Sequence, residues 1–232
     1  MIDWHSHILP AMDDGSRDVD ESLLMLELLE QQAVKTVIAT PHFYANEESV
    51  DEFLDRRRRS FKSLSSAMGE KQIQLLCGAE VRYYPGIGRM KDLEKLTIEG
   101  TNLLLLEMPM GKWTEATVQE LTKLSATCGL KIVMAHIDRY LGFIDLKTVY
   151  RLCECGVMMQ VNSSFFDRVG TRRKALKMLD SGLIHFVGSD CHNLTTRPPK
   201  MGSAYAQVDK RFGGDFITQM TEFGYRMLGR NK

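Results

Sequence analysis

Short apolar runs alternate along this chain with longer segments of mixed polarity. The runs are rich in Val, Ile and Leu, a composition typical of parallel strands that are buried on both faces. There are seven of them: Ile2–Trp4, Thr36–Thr40, Ile73–Cys77, Leu103–Leu106, Lys131–Ala135, Val157–Val161 and Ile184–Val187. The pattern therefore predicts seven buried parallel strands.

The longer segments repeat apolar residues at helical spacing and predict helices. The first, Asp18–Gln32, follows Ser16, which we expect to cap its N-terminus. The others are Glu48–Met68, Glu115–Cys128, Leu146–Cys155, Arg172–Ser181 and Met201–Phe212. Gly129, Gly156 and Gly182 each separate a helix from a strand, where a left-handed C-cap is favoured. These β-then-α repeats predict an α/β fold in a single domain over residues 1–232, with a doubly wound sheet as the alternative to a barrel.

Composition narrows the class of protein. Thirty basic and thirty acidic residues leave no net formal charge, which argues against a nucleic-acid binder that relies on bulk positive charge. No apolar stretch is long enough for a membrane span, and the residues from Met1 to His5 lack the features of a signal peptide. Five scattered cysteines indicate free thiols in a reducing compartment. We therefore expect a cytoplasmic protein.

Metal-ligand residue types follow six of the seven predicted strands. They are His5 and His7 after the first strand, His42 after the second, Glu80 after the third, Glu107 after the fourth, His136 after the fifth, and Asp190 and His192 after the seventh. The carboxyl ends of parallel barrel strands converge on one face, so these side chains are expected to be neighbours. Asp14, in the loop after the first strand, lies within reach of the same face. Histidine and carboxylate ligands together suit Zn, Mn or Fe.

Strand parity sharpens this prediction, because side chains alternate along a strand. His5 and His7 share a parity, as do Asp190 and His192, so each pair can point to one side. His185 has the opposite parity to Asp190, and we expect it to face the helices with a structural role. The sixth strand ends in residues 162–164, Asn-Ser-Ser, and supplies no metal ligand.

Seven short motifs carry a resemblance to a known family. They are Asp3-Trp4-His5-Ser6-His7-Ile8-Leu9-Pro10, Asp13-Asp14-Gly15-Ser16, Ala39-Thr40-Pro41-His42, Gly78-Ala79-Glu80, Glu107-Met108-Pro109, Ala135-His136-Ile137-Asp138-Arg139-Tyr140 and Ser189-Asp190-Cys191-His192-Asn193. Across nearly its whole length the sequence resembles the polymerase-and-histidinol-phosphatase (PHP) superfamily. It is most similar to the branch of bacterial tyrosine-protein phosphatases that act beside capsule and exopolysaccharide tyrosine kinases. The resemblance implies a distorted seven-stranded β/α barrel of the TIM-like type.

The resemblance also implies a site with three metal ions, Mn most of all, with Fe or Zn as alternatives. In the family pattern the first ion is bound by His5, His7, Glu80 and Asp190; the second by Glu80, Glu107 and His136; and the third by Asp14, His42 and His192. Arg139 and Arg197 resemble the family's phosphate-holding arginines, whose planar forks match phosphate geometry. With Asp14 they make up the expected catalytic set.

The implied activity is hydrolysis of phosphotyrosine in a protein, with the tail of a cognate bacterial tyrosine kinase as partner. The ligand set by itself leaves a histidinol-phosphate phosphatase or another PHP phosphoesterase open, and more distantly a barrel that cleaves C–N bonds. A metal-binding module without activity is a further alternative.

A cysteine-dependent mechanism is the rival within phosphatases. Cys191 and Arg197 have the Cys-x5-Arg spacing of enzymes whose low-pKa thiolate attacks phosphorus. No glycine lies between them, and Pro198 and Pro199 follow. We therefore interpret the spacing as coincidence.

Two further features have no assigned role in the sequence. The run Arg56–Arg59 lies in a predicted helix, so its side chains point in different directions. It is either a solvated face or a surface that attracts an acidic phosphorylated tail or mediates self-association. Tyr83 and Tyr84 follow Glu80 and either line the cleft or pack in the core.

Overall fold

The computed structural model describes residues 1–69 and 71–230, except for the side chains of 125–127. Its strands are Ile2–Ser6 (β1), Thr36–Ala39 (β2), His42–Phe43 (β3), Gln74–Cys77 (β4), Glu80–Arg82 (β5), Leu103–Glu107 (β6), Lys131–Met134 (β7), Met158–Asn162 (β8) and Phe186–Gly188 (β9). Its α-helices are Val19–Gln31 (α1), Val50–Ala67 (α2), Glu115–Cys128 (α3), Leu146–Glu154 (α4), Ser164–Asp167 (α5), Val169–Asp180 (α6), Gly202–Phe212 (α7) and Gly214–Met227 (α8). Single 3₁₀ segments span Ile87–Arg89, Leu93–Leu96 and Ile137–Tyr140.

Every strand pair in the described chain is parallel. One sheet has the order β1-β2-β4, and a curled sheet has the order β3-β5-β6-β7-β8-β9. Strand order thus follows chain order, without the reversal that marks a doubly wound sheet. The predicted parallel α/β class is confirmed.

Two of the predicted strands are interrupted and then resume. The second run stops at Pro41, which has no N–H to donate to a ladder, and resumes as β3. The third run stops at Gly78 and resumes as β5. His42 and Glu80 consequently open short strands of their own rather than following the strands predicted from the sequence, and they lie opposite each other in register.

The first strand also bonds to the chain beyond the last one. The amide of Asp190 donates to the carbonyl of His5 at 2.8 Å, and the amide of His7 donates to Cys191 at 2.9 Å. Gly188 permits this approach, because a Cβ there would lie 2.6 Å from Cβ of His5. The loop that carries Asp190 is therefore held directly against the loop that carries His7.

Helix ends follow the sequence with some corrections. Asp18, and not the expected Ser16, caps α1 by accepting from the amide of Glu21 at 2.9 Å, while the Ser16 hydroxyl donates to the Asp18 carbonyl. Helix α6 begins three residues earlier than predicted. The helices α5 and α8 were not predicted, and the pair Gly213-Gly214 hid the start of α8. The expected left-handed glycines are confirmed, with φ of 66° at Gly129, 85° at Gly156 and 70° at Gly182.

The strands separate two sets of buried apolar side chains. The larger set packs between the strands and the helices. The smaller set, which we call the apolar layer, lies on the inner side of the strands and comprises Ile2, Trp4, Ile38, Leu76, Ile98, Leu103, Leu105, Val133, Ala135, Met158, Phe186 and Leu228. Helix α8 covers its amino-terminal end, where Gly224 lies so close that a Cβ would be 2.9 Å from Ile2 Cδ1. Among the helices described here, none has the length and apolar character needed to cross a bilayer.

Candidate metal centre

The nine side chains predicted as ligands lie together beyond the carboxyl ends of the strands. Their nitrogen and oxygen atoms form four overlapping groups, each with atoms within 4.8 Å of one another: His7, Asp14, His42 and His192; His5, His7 and Asp190; His5, Glu80 and His136; and His42, Glu80 and Glu107. Within residues 1–69 and 71–230, no other residue enters these groups. We call these nine residues the ligand layer.

A register shift in β1 aims the first two histidines inward. The pairing of β1 with β2 is irregular between Asp3 and Ser6. Trp4 stacks on Phe186, while His5 Nδ1 lies 3.2 Å from Gln160 Oε1. Phe186 and Gln160 are register partners, so Trp4 and His5 point to the same side although they are consecutive.

The rings of His5 and His7 bring two ring nitrogens close together. His5 Nε2 and His7 Nε2 are 3.2 Å apart. Their Nδ1 atoms face oxygen acceptors, Gln160 Oε1 at 3.2 Å and Asp13 Oδ2 at 2.7 Å, and therefore carry the ring protons. In this tautomer both Nε2 atoms present lone pairs to each other, and a proton or a metal ion between these nitrogens and the nearby carboxylates removes the repulsion. This arrangement fits a bound metal.

Glu80 is the centre of the cluster. Its Oε2 lies 3.2 Å from Nε2 of both His5 and His7 and 3.1 Å from His42 Nδ1, and its Oε1 lies 2.7 Å from His136 Nε2. Although burial opposes ionisation, these imidazoles hold the pKa of Glu80 well below its ordinary value. A buried carboxylate that faces four imidazoles is placed to bind a metal ion together with them.

The buried carboxylates of the cluster also raise the pKa values of His5 and His7. Burial lowers the pKa of His5, but the carboxylates of Glu80 and Asp190 outweigh it and raise the pKa above its ordinary value. The pKa of His7 is raised further, against burial, by Asp13. A field that favours a proton on these rings also attracts a metal ion in its place.

His42 and His192 form a second side of the cluster with Asp14. Asp14 Oδ1 lies 3.6 Å from His42 Nε2 and 3.4 Å from His192 Nε2, and its side chain is 66% exposed. Burial and the neighbouring His7 lower the pKa of His192 to about 3, and burial lowers that of His42. Both rings are therefore neutral at physiological pH, the state in which imidazole binds metals.

Glu107 and His136 complete the cluster on a third side. Glu107 Oε1 lies 3.7 Å from His136 Nε2, and Glu107 Oε2 accepts from Arg82 Nη1 at 2.8 Å. His136 has a φ of 31°, in the left-handed region that non-glycine residues seldom adopt. Its amide donates to Gln160 Oε1 at 2.6 Å, which helps to hold this backbone in place. Backbone of this kind concentrates at functional sites.

The two predicted phosphate-binding arginines lie at the edge of the cluster, on Asp190. Arg139 Nη2 bonds to Asp190 Oδ2, and Arg197 Nη2 lies 2.7 Å from Asp190 Oδ1. Asn162 Nδ2 donates to the same carboxylate at 2.8 Å. Although burial opposes ionisation, His5, His7 and Arg139 hold the pKa of Asp190 well below its ordinary value.

Four buried polar atoms of the ligand layer have no hydrogen-bond partner in the described chain: His42 Nδ1, Glu80 Oε2, His136 Nδ1 and His192 Nε2. An unsatisfied buried polar atom costs about 1–3 kcal/mol. A cation at these atoms would remove the cost. The donor chemistry and the unsatisfied atoms therefore both fit metal ions.

Sequence reasoning missed the residues that orient the ligands. Asp13 accepts from His7 Nδ1 at 2.7 Å and from the amide of His42 at 2.8 Å. Its loop needs Gly15, because a Cβ there would lie 2.3 Å from the His7 carbonyl oxygen. Gln160 and Asn162 belong to β8, the strand that the sequence analysis found to supply no metal ligand. Their shared parity was the available signal, since hydrogen-bond partners of ligands are as necessary as the ligands.

The cysteine-dependent alternative is not supported by the environment of Cys191. This thiol is fully buried, and burial raises its pKa, whereas a nucleophilic cysteine requires a lowered one. Arg197 is directed at Asp190. His185 lies outside the ligand layer, with its ring 6.4 Å from that of Phe223.

The arginine run proves to be partly structural. Arg56 Nη1 donates to the carbonyl of Met12 at 3.0 Å, in the loop before Asp13, and Arg57 Nη1 donates to the carbonyl of Gly78. Arg58 pairs with Asp55, while Arg59 is exposed.

Tyr83 and Tyr84 line a cavity of about 520 Å³ together with Arg82. Tyr83 is buried with its hydroxyl 2.7 Å from Glu120 Oε2, and Tyr84 is partly exposed.

The fold and the donor set define a class: a parallel α/β protein with a candidate transition-metal site at its strand ends. The family model for capsular polysaccharide synthesis proteins CpsB/CapC matches residues 1–223, and the chain belongs to this family. The resemblance stated from the sequence is confirmed.

Characterised relatives extend over most of the chain. Tyrosine-protein phosphatase YwqE of Bacillus subtilis is 33% identical, with 100% of this chain and 92% of the relative covered. Tyrosine-protein phosphatase CpsB of Streptococcus agalactiae is 30% identical, with 95% and 94% covered.

Solved structures agree. The crystal structures of YwqE from Bacillus subtilis and CpsB from Streptococcus pneumoniae, described as unique metal-dependent tyrosine phosphatases, match with a TM-score of 0.81 at 28% identity, over 100% of this chain and 96% of the other. A mutant organophosphorus hydrolase matches with a TM-score of 0.57 at 15% identity, over 98% and 92%, which shows a likeness of fold alone.

Proposed function

We propose that this chain is a metal-dependent tyrosine-protein phosphatase. The observation that carries the proposal is the pair of imidazole nitrogens of His5 and His7, which face each other beside Glu80 in a chain whose relatives are named tyrosine-protein phosphatases. The substrate is a phosphotyrosine-containing protein. Because the chain belongs to the capsular polysaccharide synthesis family, we favour the tail of a cognate bacterial tyrosine kinase as the substrate.

Three ions would be held by the sets that the family pattern implies. The overlapping groups support part of this division: Asp14, His42 and His192 occur in one group, and His5, His7 and Asp190 occur in another. Glu80 is shared between two further groups, one with His5 and His136 and one with His42 and Glu107. Mn is the ion we favour, with Fe and Zn as alternatives for the same donors. Bound divalent ions would supply Lewis-acid activation of water and of phosphoryl oxygens.

Arg139 and Arg197 would hold the phosphoryl group. Both guanidinium groups now neutralise Asp190. With Asp190 engaged as a ligand, they become available to phosphoryl oxygens at the same edge of the cluster, where their planar forks match phosphate. The leaving phenol has a pKa of about 10 and needs less protonation than an alkyl alcohol, so no dedicated acid is assigned.

The fold proposal is a distorted seven-stranded barrel in one domain. It is supported by counting β2 with β3 and β4 with β5 as interrupted strands, and by the hydrogen bonds between β1 and the segment after β9. A cytoplasmic location is proposed from the free thiols of Cys77, Cys153, Cys155 and Cys191.

Metal reconstitution tests the function. Metal-stripped protein is assayed on a phosphotyrosine peptide after addition of Mn, Fe or Zn separately, with histidinol phosphate as the competing substrate. We expect at least one metal to restore turnover of the peptide, and a much lower rate on histidinol phosphate. Failure of all three metals would contradict the mechanism, and a preference for histidinol phosphate would favour the other PHP phosphatase.

A further inference from the structure

A cavity of about 370 Å³ adjoins the ligand layer on the side of Asp190. Arg139 and Arg197, the proposed phosphate-holding residues, line it. Arg168, at the start of α6, and Lys200, in the loop before α7, line it as well. The cavity therefore extends from the proposed phosphate site to two cations that no part of the proposed mechanism uses.

These two cations differ from the other charged groups around the cavity. Asp167 accepts from Ser203 Oγ at 2.7 Å, and Asp138 accepts from the amide of Asn162 at 2.9 Å. Asp190 is bonded to both arginines. The acidic side chains are therefore engaged within the protein. By contrast, neither Arg168 nor Lys200 makes an ion pair with any residue in 1–69 or 71–230, and both side chains are exposed.

We propose that this cavity binds an acidic side chain of the substrate peptide, close in sequence to the phosphotyrosine, and that Arg168 and Lys200 select for it. The proposal rests on the proposed phosphatase function. A peptide in extended form advances about 3.3 Å per residue, so a neighbour one to three residues from the phosphotyrosine spans about 3–10 Å. Because the two unpaired groups are cations, we expect the bound side chain to be a carboxylate, which guanidinium and ammonium groups bind with charge-assisted hydrogen bonds.

The expected effect is modest, because both cations are exposed to solvent and to salt. Exposed ion pairs contribute little each, and two of them correspond to a preference of about three- to tenfold. The preference should appear in KM rather than in kcat, since neither side chain belongs to the ligand layer or the proposed phosphate site. It should weaken as ionic strength rises.

The test compares two phosphotyrosine peptides that differ only in glutamate or glutamine beside the phosphotyrosine. The metal-loaded full chain is used as wild type, Arg168→Gln, Lys200→Gln and the double variant. Arg59→Gln is the matched control, because it also removes one exposed positive charge but lies on α2. The side chain of Arg168 makes no capping hydrogen bond to α6, so its replacement should leave the fold intact. The small substrate p-nitrophenyl phosphate has no peptide flank and should be turned over equally by all variants.

We expect wild type and Arg59→Gln to prefer the glutamate peptide, and the double variant to lose that preference while retaining turnover of p-nitrophenyl phosphate. Equal KM for the two peptides in wild type, or an undiminished preference in the double variant, would overturn the proposal. So would selection of a second phosphotyrosine without selection of glutamate.

Direct binding separates this proposal from the proposed function. If no metal supports turnover of any substrate, the phosphatase function fails. Fluorescence anisotropy of the labelled peptides on the metal-loaded chain still decides the cavity proposal, which stands if the glutamate preference depends on Arg168 and Lys200 and falls if it does not.

Discussion

The apolar layer and the ligand layer lie on the same strands, at opposite ends. The first buries apolar side chains, and the second buries charged and polar ones. In β6, Leu105 belongs to the apolar layer and Glu107, two residues later on the same side, belongs to the ligand layer. Along β9 and into the loop after it, the same side of the chain carries Phe186, Gly188 and then Asp190. Helix α8 covers the amino-terminal end of the apolar layer, whereas loops border the ligand layer, which contains the charged side chains. The position of a side chain along its strand therefore decides whether burial packs an apolar group or holds a charged one.

The buried carboxylates of the ligand layer face positively charged or imidazole groups, whereas the buried carboxyl group of Asp3, just outside the layer, does not. Glu80 and Asp190 are buried, and neighbouring imidazoles hold the pKa of each well below its ordinary value. Asp3 is equally buried and only two residues from His5, but burial raises its pKa to about 6, and its Oδ2 has no hydrogen-bond partner in the described chain. The pKa values differ because imidazoles converge on Glu80 and Asp190 but not on Asp3.

The largest expected effect is loss of activity when a charge is removed from the ligand layer. Glu107→Gln keeps the shape of the side chain but removes a proposed metal ligand, and we expect turnover of a phosphotyrosine peptide to fall on the order of 10³-fold, which corresponds to about 4 kcal/mol. Steady-state kinetics and the metal content of the purified protein measure it. A variant that retains wild-type metal content and turnover would remove Glu107 from the ligand set.

The matched change in the apolar layer should affect stability instead. Leu105→Ala leaves a cavity on the inner side of the same strand, and we expect the free energy of unfolding to fall by about 3 kcal/mol. Denaturant unfolding of the metal-free protein measures this loss. Turnover per folded, metal-loaded molecule should change much less than in Glu107→Gln. If Leu105→Ala lowers turnover as strongly, the two layers do not act separately.

The smallest expected effect concerns the uncompensated carboxyl group. The folded-state pKa of Asp3, about 6, lies above the unfolded value of 3.8, so its contribution to stability is fully present below pH 3.8 and is lost as the pH rises through 6. Asp3→Asn does not titrate and should gain stability relative to wild type over this interval, on the order of 2 kcal/mol. Unfolding of both metal-free proteins between pH 4 and pH 7 tests it. A stability difference that does not vary with pH would contradict the raised pKa, and Leu105→Ala, whose difference from wild type should be constant, is the control.

Much of the fold was predictable because the runs of Val, Ile and Leu are local signals. All seven predicted strands exist, and the six predicted helices are present with shifted ends. The interruption at Pro41, the restart at Glu80 and the helix α8 were not predicted. A two- or three-residue strand has no periodicity of its own, and α8 begins at two glycines. Its place is set by packing against Ile2 rather than by helix propensity.

Eight of the nine residues of the ligand layer were predicted from the sequence because each is a histidine or carboxylate close to the end of a predicted strand, and Asp14 was predicted from the loop after the first strand and from the family resemblance. That position alone brings them to one face in a parallel fold. The residues that orient them, Asp13, Gln160 and Asn162, carried no comparable signal, because amides and loop carboxylates are common in any sequence. Arg82 was missed as well, because its contact with Glu107 is visible only in three dimensions.

The sequence by itself determined the parallel α/β class and the set of side chains at the strand ends, since both follow from local composition and order along the chain, and its motifs carried the resemblance to the family. Tertiary structure alone decided how that set is used. The irregular pairing of β1 turns Trp4 and His5 to the same side, Gly188 lets the last strand reach the first, and the shared contacts of Glu80 make one cluster from separate groups. These are distances between residues far apart in the chain, and only the packed strands fix them.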